Sequence, residues 1–539
     1  MRELTQRFCL LCLSGAFLAG VPALAEPPGP APKAAEAEAT PRFDVWEYRV
    51  EGNTVLDPKV IEKTVYGYLG PGKTIDDVEK ARAALEKVYH DAGYAAALVD
   101  IPEQDVNEGV VVLTVGEGRV DRLKVSGSRY FSLGRIREKV PALAEGKPLH
   151  MPAVQEQLSE LAGESADRNV TPILRAGRTP GTVEVDLAVE DRLPLHGSLE
   201  LNARNSANTS RLRLIGMLRY DNLWQRFHSA SLQYQTSPED PSNVEVWSGT
   251  YVMPLDFLGA RLAFYGIGLD STSNVTTAGA LSVVGSGHIF GLRLIKLLPG
   301  TKAYSHSLTL GWDYKDFGQS VLLTGADTQN TPVTYAPWQV SYTGTYGWGG
   351  GTVTQWNLET DFNIAGIGST YREFENRRYG ATPNYLYLAG DLRHRQALPW
   401  DLALQFRLLG QVANMPLISN EQMGAGGMQS VRGYHEVERL GDDGVNGSLE
   451  LYSPNLGPWL DASIDEWRFL VFSDVARLWI RKPLPGAPSS YDLWSAGTGF
   501  RLQLLKQIAG EFYWAYPFAP GQYVKVGQSR IDFRVVFEF

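Results

Sequence analysis

The eight residues "GYLGPGKT" at positions 67–74 match the phosphate-loop pattern of nucleotide-binding enzymes, with the glycines, lysine and threonine at the required spacing. Such a loop holds phosphate only where a buried strand enters it and a helix leaves it, because backbone N–H groups and the helix N-terminus bind the anion together. The residues before position 67 have the apolar spacing of an amphipathic helix instead, and Pro71 stiffens the loop. We therefore predict a helix-to-helix connector, with Thr74 capping the second helix, and no nucleotide site.

No other group of residues has the spacing of a catalytic centre or a metal site. The sequence has no GxSxG and no HExxH motif, and its eight histidines are scattered from His90 to His435. Both cysteines, Cys9 and Cys12, lie in residues 1–25, which have the charged, apolar and small-residue regions of a signal peptide. Its removal would leave no thiol for a disulfide, a zinc site or a nucleophile. We expect no enzyme activity, no cofactor and no metal.

Length and composition narrow the classes of protein to which the chain could belong. A chain of 539 residues is too long for one ordinary core, and its net charge of -10 argues against nucleic acid as a partner. No apolar run after the signal peptide reaches the length of a transmembrane helix, so a membrane role would have to use a β-barrel or an attachment to the membrane surface. Residues 26–42 are rich in proline and alanine and are predicted to be a flexible linker.

The chain then repeats one α+β pattern of strand, helix, helix, strand and strand over residues 43–118 and 119–192. In the first copy, Ile61 and Val65 lie on one predicted helix face, and Val78, Leu85 and Tyr89 lie on the next. We therefore predict two tandem modules of similar size.

Residues 193–539 change to segments of about ten residues with period-two alternation, separated by turn residues, which is typical of transmembrane β-strands. We predict an all-β transmembrane barrel of about 16 antiparallel strands. The longest predicted connection is a loop over residues 415–445. The strands are expected near residues 195–205, 211–221, 227–237, 244–254, 259–270, 286–298, 304–316, 333–346, 351–364, 383–396, 400–413, 446–454, 466–480, 492–505, 508–518 and 529–539.

The last segment, "RIDFRVVFEF", has the clearest alternation. Its apolar positions, from Ile531 to Phe539, are predicted to face lipid, whereas Asp532, Arg534 and Glu538 are predicted to face a wet lumen. An ordinary edge strand would leave this apolar face unpaired and prone to aggregation, so a barrel is the better interpretation.

Four short motifs in the first module carry a family resemblance: "VEGNTVL", "GY" at 93–94, "IPEQ" at 101–104 and "EG" at 117–118. They resemble the first POTRA domain of two-partner secretion transporters, the TpsB family of ShlB/FhaC/HecB-like haemolysin secretion/activation proteins, within the BamA-like superfamily. The resemblance implies two POTRA domains in the periplasm, a barrel in the outer membrane of a Gram-negative bacterium, and partner recognition that involves Pro102 and Gln104.

The predicted long loop contains Val431, Arg432, Gly433 and Tyr434, which resemble the VRGY motif on the sixth extracellular loop of this superfamily. In the family the arginine meets an acidic residue of a Phe-x-Asp motif on strand thirteen, which corresponds here to Phe472 and Asp474. Ala476 stands where the family often has glycine. We predict that Arg432 and Asp474 are in contact and fix the loop to the inner wall.

The resemblance implies export of an unfolded secreted partner, a TpsA-like adhesin or haemolysin, by the type V route and without ATP. It also implies contact with outer-membrane lipid and with the barrel assembly machinery during biogenesis, for which Phe537 and Phe539 would form the terminal assembly signal. The linker is too short and not amphipathic enough for the pore-plugging helix of some relatives. The alternative function is a barrel insertase of the BamA or TamA type.

Overall fold

A computed structural model of the protein describes residues 41–539 apart from positions 107, 208, 272–275, 279–280, 284–285, 319 and 323–327. The predicted signal peptide, residues 26–40 of the predicted linker and the expected absence of a plug helix lie outside the described residues. The described chain forms two compact units, residues 41–117 without 93–96, and residues 93–96 with 118–539. Among its described helices, none is long and apolar enough to span a membrane.

The first unit contains a three-stranded sheet and two helices. In the sheet, β5 pairs in parallel with β2 and antiparallel with β4, which gives the order β2-β5-β4. The apolar helix faces predicted from the sequence, including Ile61, Val78 and Tyr89, are buried. The elements are β1 (Phe43–Val45), β2 (Glu47–Glu51), α1 (Pro58–Val65), a 3-10 turn (Tyr66–Tyr68), β3 (Gly70–Lys73), α2 (Ile75–Asp91), β4 (Leu98–Asp100) and β5 (Val110–Gly116).

The phosphate-loop match is a connector between α1 and α2, as predicted. The Gly72 N–H already donates to the Asp44 carboxylate at 2.9 Å, a negative group that would repel phosphate. Thr74 caps α2, and its backbone N–H donates to Asp77 Oδ2 at 3.1 Å. The structure adds one feature that the sequence did not suggest, because Gly70–Lys73 forms a short strand paired with β1.

The second module of the chain has the same plan, with sheet order β6-β8-β7. Its helices cover one sheet face over an apolar core that includes Ile136, Leu143, Leu161 and Val185. Its elements are β6 (Arg119–Ser126), α3 (Leu133–Glu138), a 3-10 turn (Pro141–Leu143), α4 (Met151–Glu164), β7 (Arg168–Ala176) and β8 (Thr182–Asp191).

Sixteen antiparallel strands close into a barrel, which confirms the predicted fold and strand number. Strand 8 is interrupted at residues 336–337, and strand 12 begins at Asp443, three residues before its predicted start. Strands 1 to 16 are Leu195–Asn202, Arg213–Leu223, His228–Thr236, Val244–Leu255, Ala260–Ser271, Ser286–Leu298, Tyr304–Gly318, Val333–Tyr335 with Trp338–Gly349, Thr352–Asn363, Tyr385–Ala397, Ala403–Ala413, Asp443–Tyr452, Ile464–Trp479, Ser490–Leu504, Ile508–Pro517 and Arg530–Glu538.

Short helices, turns and strand pairs lie in the connections between the barrel strands. Helix α5 (Tyr371–Arg377) follows strand 9, and α6 (Gly457–Leu460) follows strand 12. The others are 3-10 turns at Pro241–Asn243, Asp256–Leu258 and Pro399–Asp401, and paired short strands at Thr276–Ala278 with Leu281–Val283, Ser320–Leu322 with Thr328–Asn330, and Met423–Ala425 with Arg439–Gly441.

The two faces of the barrel wall differ as predicted for strand 16. Ile531, Val535 and Phe537 point outward and are each more than 40% exposed, whereas Asp532 and Val536 are buried on the inner face. An outer band of exposed apolar side chains is what a lipid-facing wall requires. We call the end of the barrel where residue 195 enters the module end, and the opposite end the far end.

Candidate functional site

The connection between strands 11 and 12, residues 414–442, folds into the barrel interior, and we call it loop six. Its own ladder, Met423–Ala425 against Arg439–Gly441, brings the two ends of the loop together. Gly426 and Gly433 both have positive φ, at 110° and 89°. A side chain at Gly433 would also crowd Ala515 on the inner wall, so the loop approaches the wall with its backbone.

Arg432 is the centre of the contacts between loop six and the wall. Its Nε and Nη2 donate to the two carboxylate oxygens of Asp474 on strand 13, each at 2.7 Å. Its backbone N–H donates to the same carboxylate at 3.0 Å. Arg432 is 3% exposed and Asp474 is fully buried. The structure therefore contains the predicted contact, in the bidentate geometry that suits a guanidinium and a carboxylate.

Two further residues complete this group, which we call the arginine site. Arg432 Nη1 lies 2.6 Å from Glu450 Oε1 on strand 12, and the guanidinium lies 3.6 Å from the ring centre of Phe472. The same guanidinium lies 5.0 Å from the ring centre of Tyr513, so one buried cation meets two carboxylates and two aromatic rings. Sequence analysis identified Phe472 but missed Glu450, which no motif marks.

The other motif residues attach the loop on either side of the arginine. Val431 and Tyr434 are fully buried and pack in one apolar cluster with Ala476. The Tyr434 hydroxyl lies 2.7 Å from the carbonyl oxygen of Ala519 and 3.0 Å from that of Trp494. Ala476, where the family often has glycine, is accommodated by this cluster, and the ion pair forms beside it.

A second set of buried charges, which sequence analysis did not identify, holds both ends of loop six. The guanidinium of Arg378, from the connection after strand 9, makes two hydrogen bonds to the fully buried carboxylate of Asp442. Asp442 also accepts from the backbone N–H groups of Leu417 and Arg481, each at 2.7 Å. Loop six is therefore attached to the preceding far-end loop as well as to the wall.

The start of loop six has a similar attachment. Glu421 is 4% exposed. Its carboxylate accepts a hydrogen bond from Lys315 Nζ on strand 7 at 2.8 Å and another from the Tyr387 hydroxyl at 3.2 Å. The Tyr335 hydroxyl also donates to it. Pairing of this kind is the condition under which charges are tolerated in a dehydrated interior.

The predicted recognition residues of the first module have a structural role. Gln104 uses its amide to donate to the backbone oxygen of Val112 at 2.8 Å and to accept from the Val112 N–H at 2.7 Å. Its side chain therefore pairs with the part of β5 that β4 does not reach. Pro102 lies beside it and accepts a further hydrogen bond from the same amide at 3.2 Å. Their part in partner recognition stays a prediction.

The chain terminus pairs with the first barrel strand. Phe539 and Gly197 exchange backbone hydrogen bonds of 3.0 and 3.1 Å. The rings of Phe537 and Phe539 are both exposed, with their centres 6.1 Å apart. Their position suits an outward-facing terminal strand, and their role in assembly stays a prediction.

One group of described residues has ligand atoms close enough for a metal ion: Asp167, His196 and Asp221. His196 Nε2 lies 2.7 Å from Asp167 and 3.5 Å from Asp221. The two carboxylates are also paired with Arg192 and Arg219, at 2.7 and 2.9 Å. The charges of this group are satisfied by ion pairs, and nothing in the described residues favours a cation.

Outside the membrane-spanning strands, Asp191 at the end of β8 is a carboxyl whose pKa is lowered. Partial burial opposes its ionisation, but hydrogen bonds from the Ser128 hydroxyl at 2.6 Å and from the Tyr130 backbone N–H at 2.8 Å outweigh this and lower its pKa. The ionised carboxylate thus fixes the turn after β6.

Family comparisons agree with this architecture. A model described as "POTRA domain, ShlB-type" matches residues 43–118, and one described as "Haemolysin secretion/activation protein ShlB/FhaC/HecB" matches residues 181–502. The outer membrane transporter CdiB of Dickeya dadantii is 23% identical over 504 residues, which cover 87% of this chain and 81% of CdiB. The heme/hemopexin transporter protein HuxB of Haemophilus influenzae is 20% identical over 385 residues, 70% of this chain and 66% of HuxB.

Two solved structures have the same fold. CdiB from Escherichia coli gives a TM-score of 0.60 at 17% identity and covers 94% of this chain and 93% of its own. BamA from Haemophilus ducreyi, lacking POTRA domains 1–3, gives a TM-score of 0.56 at 16% identity, with 92% of this chain and 100% of its own covered.

Proposed function

The chain belongs to the ShlB/FhaC/HecB family of haemolysin secretion/activation proteins, and we propose that it recognises one unfolded secreted partner through its POTRA domains and exports it through the barrel without ATP. The family places the barrel in the outer membrane and the POTRA domains in the periplasm. The far end of the barrel is then extracellular. The observation that carries the proposal is a single chain that joins a ShlB-type POTRA domain to a sixteen-strand barrel with a long loop fixed to its inner wall.

The second module offers an open sheet edge to an extended client. Strand β7 is the outer strand of its sheet, and Ile173 and Leu174 are 39% and 43% exposed there. An extended segment that adds to such an edge gains backbone hydrogen bonds without requiring a particular sequence. The corresponding edge in the first unit is shorter, because β4 has three residues.

The direction of the free N–H groups on β7 follows from its pairing with β8. The Gly177 N–H donates to the backbone oxygen of Thr182 at 2.9 Å. From that pair the register continues one residue at a time as far as Arg168, which lies opposite Asp191. Since bonded and non-bonded pairs alternate in antiparallel strands, even-numbered residues of β7 direct their N–H groups outward. Pro172 lies at one such position, where a missing N–H is tolerated on an edge. Leu174 lies at the next such position and keeps its outward N–H.

The proposal needs no energy source inside the periplasm. The one phosphate-loop match in the sequence is a capped helix connector whose glycine N–H is held by a carboxylate. Export is then driven by binding on the inner side and by folding of the client outside, where a compact state cannot return through the barrel.

The β7 edge can be tested with two variants of one residue. Leu174→Pro removes an outward N–H while leaving the bonds to β8, and Leu174→Ala removes the side chain but keeps the donor. We expect Leu174→Pro to reduce release of the secreted partner protein, measured in culture supernatant at equal transporter levels, and Leu174→Ala to reduce it less. Equal secretion by both variants and the unaltered protein would rule out pairing at this edge.

A barrel insertase is the second candidate function, and one observation favours it. The described ladder between strands 16 and 1 runs from Arg534 opposite Asn202 to Glu538 opposite Ser198, the shortest ladder in the barrel wall. Backbone hydrogen bonds extend it by one residue at each end, at Phe533 and Phe539. A short ladder is the natural place for a barrel to open sideways. Gene deletion separates the two functions: loss of one secreted protein supports export, whereas depletion of many outer-membrane proteins supports insertion.

A further inference from the structure

The turn between strands 2 and 3, residues 224–227, is packed into the second module. Phe227 of this turn lies against the apolar core of the module, whose buried members include Phe131 and Val185. The rings of Phe131 and Phe227 are stacked, with their planes 22° apart and their centres 6.2 Å apart. A side chain of the barrel therefore contributes to the core of the module.

Arg168, the first residue of β7, lies against both rings. Its guanidinium carbon is 5.0 Å from the ring centre of Phe131 and 4.6 Å from that of Phe227. Arg168 is 4% exposed, and its Nη2 donates to the backbone oxygen of Leu161 at 2.8 Å and to Glu164 at 3.0 Å. Its Nε and Nη1 have no hydrogen-bond partner among the described residues. Buried donors without partners cost free energy, and the contacts of the cation with two aromatic rings offset that cost.

The same turn is hydrogen-bonded to the loop after β6. The side-chain amide of Gln225 donates to the Tyr130 carbonyl oxygen at 3.0 Å and accepts from the Ser132 backbone N–H at 2.8 Å. Asn222, near the end of strand 2, donates to the same carbonyl oxygen at 3.0 Å. Tyr130 is also fixed from within the module, because its backbone N–H donates to Asp191. These directional contacts specify one position of the turn on the module.

Two further contacts hold the module on the two sides of this turn. On one side, Asp167 lies 2.7 Å from His196 Nε2 on strand 1. On the other side, Lys139 Nζ lies 3.2 Å from Asp256 in the turn between strands 4 and 5. The attachment therefore extends from strand 1 to strand 5, and contacts spread in this way oppose rotation of the module about any one of them.

The backbone of the strand 2–3 turn has an uncommon conformation. Three of its four residues have positive φ, namely Trp224 at 60°, Gln225 at 54° and Phe227 at 59°. Residues other than glycine seldom adopt this conformation, and it persists where the surrounding structure determines it. The contacts of Gln225 and Phe227 with the second module are such surroundings. The shape of the turn and its attachment to the module are thus coupled.

We propose that this turn is a rigid joint that fixes the second module to the barrel in one orientation, with Phe227 and Arg168 as its central contact. Because Arg168 begins β7, the joint holds the outer edge of β7 at a constant position relative to the barrel. The inference rests on the proposed function in one respect, since that edge is where the client is proposed to bind. Export then depends on the joint as well as on the edge.

The joint is tested by the distance between two spin labels on the full-length transporter in lipid vesicles, with Cys9 and Cys12 replaced by serine. The labels are attached at Glu160→Cys in α4 and at Lys302→Cys between strands 6 and 7, two exposed positions away from the joint. Distances are measured by double electron–electron resonance. Phe227→Ala removes the ring from the joint. Trp224→Ala is the matched control, because Trp224 lies in the same turn with the same φ and is 73% exposed.

We expect one narrow distance distribution for the unaltered protein and for Trp224→Ala, and a distribution at least twice as wide for Phe227→Ala. Gln225→Ala removes only exposed hydrogen bonds, so it leaves the module core folded, and we expect it to widen the distribution to a smaller extent. A wide distribution in the unaltered protein would overturn the joint. Equal widths for the unaltered protein, Phe227→Ala and Gln225→Ala would overturn it too.

Release of the secreted partner is measured in parallel, at equal transporter levels. We expect Phe227→Ala to reduce it several-fold and Trp224→Ala to leave it unchanged. A wider distance distribution with unchanged release would overturn the claim that export depends on the joint, and would leave the proposed function intact. Absence of release by the unaltered transporter would refute the proposed function, whereas the distance measurement would still decide whether the joint is rigid.

Discussion

Arg432→Ala is the perturbation whose effect the structure specifies most closely. The change removes the only guanidinium of the arginine site and leaves the carboxylates of Asp474 and Glu450 buried, at 0% and 7% exposure. Removing one partner of a buried ion pair costs about 3–5 kcal/mol, mostly because the remaining charge is uncompensated. Asp474 would keep its hydrogen bonds from Ser448 Oγ at 2.7 Å and from the backbone of residue 432, which places the expected loss near the lower limit.

A loss of about 3 kcal/mol corresponds to a change of more than a hundredfold in the unfolding equilibrium constant. It is measured by urea unfolding of the full-length protein in lipid vesicles, followed by tryptophan fluorescence. Arg477→Ala is a matched control on the same strand, because Arg477 lies 3.6 Å from Asp492 and both side chains are more than half exposed. An exposed pair contributes about 0–1 kcal/mol, so this variant is expected to be nearly neutral.

Two further variants separate charge from geometry. Arg432→Lys keeps the positive charge but loses the planar fork that reaches both oxygens of Asp474, so its cost is expected to lie between those of the alanine variant and the unaltered protein. Asp474→Ala combined with Arg432→Ala is expected to cost less than the sum of the single changes, since both remove one interaction. The reasoning is refuted if Arg432→Ala is as mild as Arg477→Ala, or if the two changes are strictly additive.

Three other predictions concern different parts of the molecule. Arg378→Ala leaves the fully buried Asp442 without its cation and loosens the attachment between loop six and the connection after strand 9, so we expect larger and less steady single-channel currents in planar bilayers; unchanged currents would contradict this. Tyr434→Phe removes a hydroxyl that meets two carbonyl oxygens and is expected to lower the free energy of unfolding by about 1 kcal/mol in the urea assay. The pKa of Asp191 is lower in the folded second module than its ordinary value, because hydrogen bonds from Ser128 and the Tyr130 backbone outweigh its burial. The stabilisation that ionised Asp191 gives is therefore complete above the unfolded pKa, near 4, and is lost as pH falls through the folded pKa. At neutral pH, residues 119–192 of the unaltered protein should be better protected from hydrogen exchange than those of the Asp191→Asn variant. This difference in protection should vanish in acid.

The sequence was sufficient for the barrel because period-two alternation is a local signal repeated in every strand. In strand 16, Ile531 and Val535 are exposed on one face and Asp532 is buried on the other, as the pattern predicted. The signal weakens where the inner face is dry. In strand 8, Val333 and Tyr335 point into an apolar interior, so an apolar inner wall replaces the polar one that alternation would mark.

The contacts of the candidate site also differ in whether a local pattern marks them. Arg432 and Asp474 could be paired in advance because both lie in short recognisable motifs, and the structure places them together. Arg378 and Asp442 are 64 residues apart and belong to no motif. Their pairing depends on two loops meeting inside a closed barrel, and no local pattern in either segment encodes that meeting.

The attachments of loop six determine how easily the loop can move. A loop held only by Arg432 could swing aside around its two ends, but both ends are themselves fixed, through Glu421 and Asp442. Moving the whole loop would expose several buried charges at once, each costly without its partner. A large displacement of loop six is therefore costly in free energy, and the loop is a fixed part of the described barrel interior.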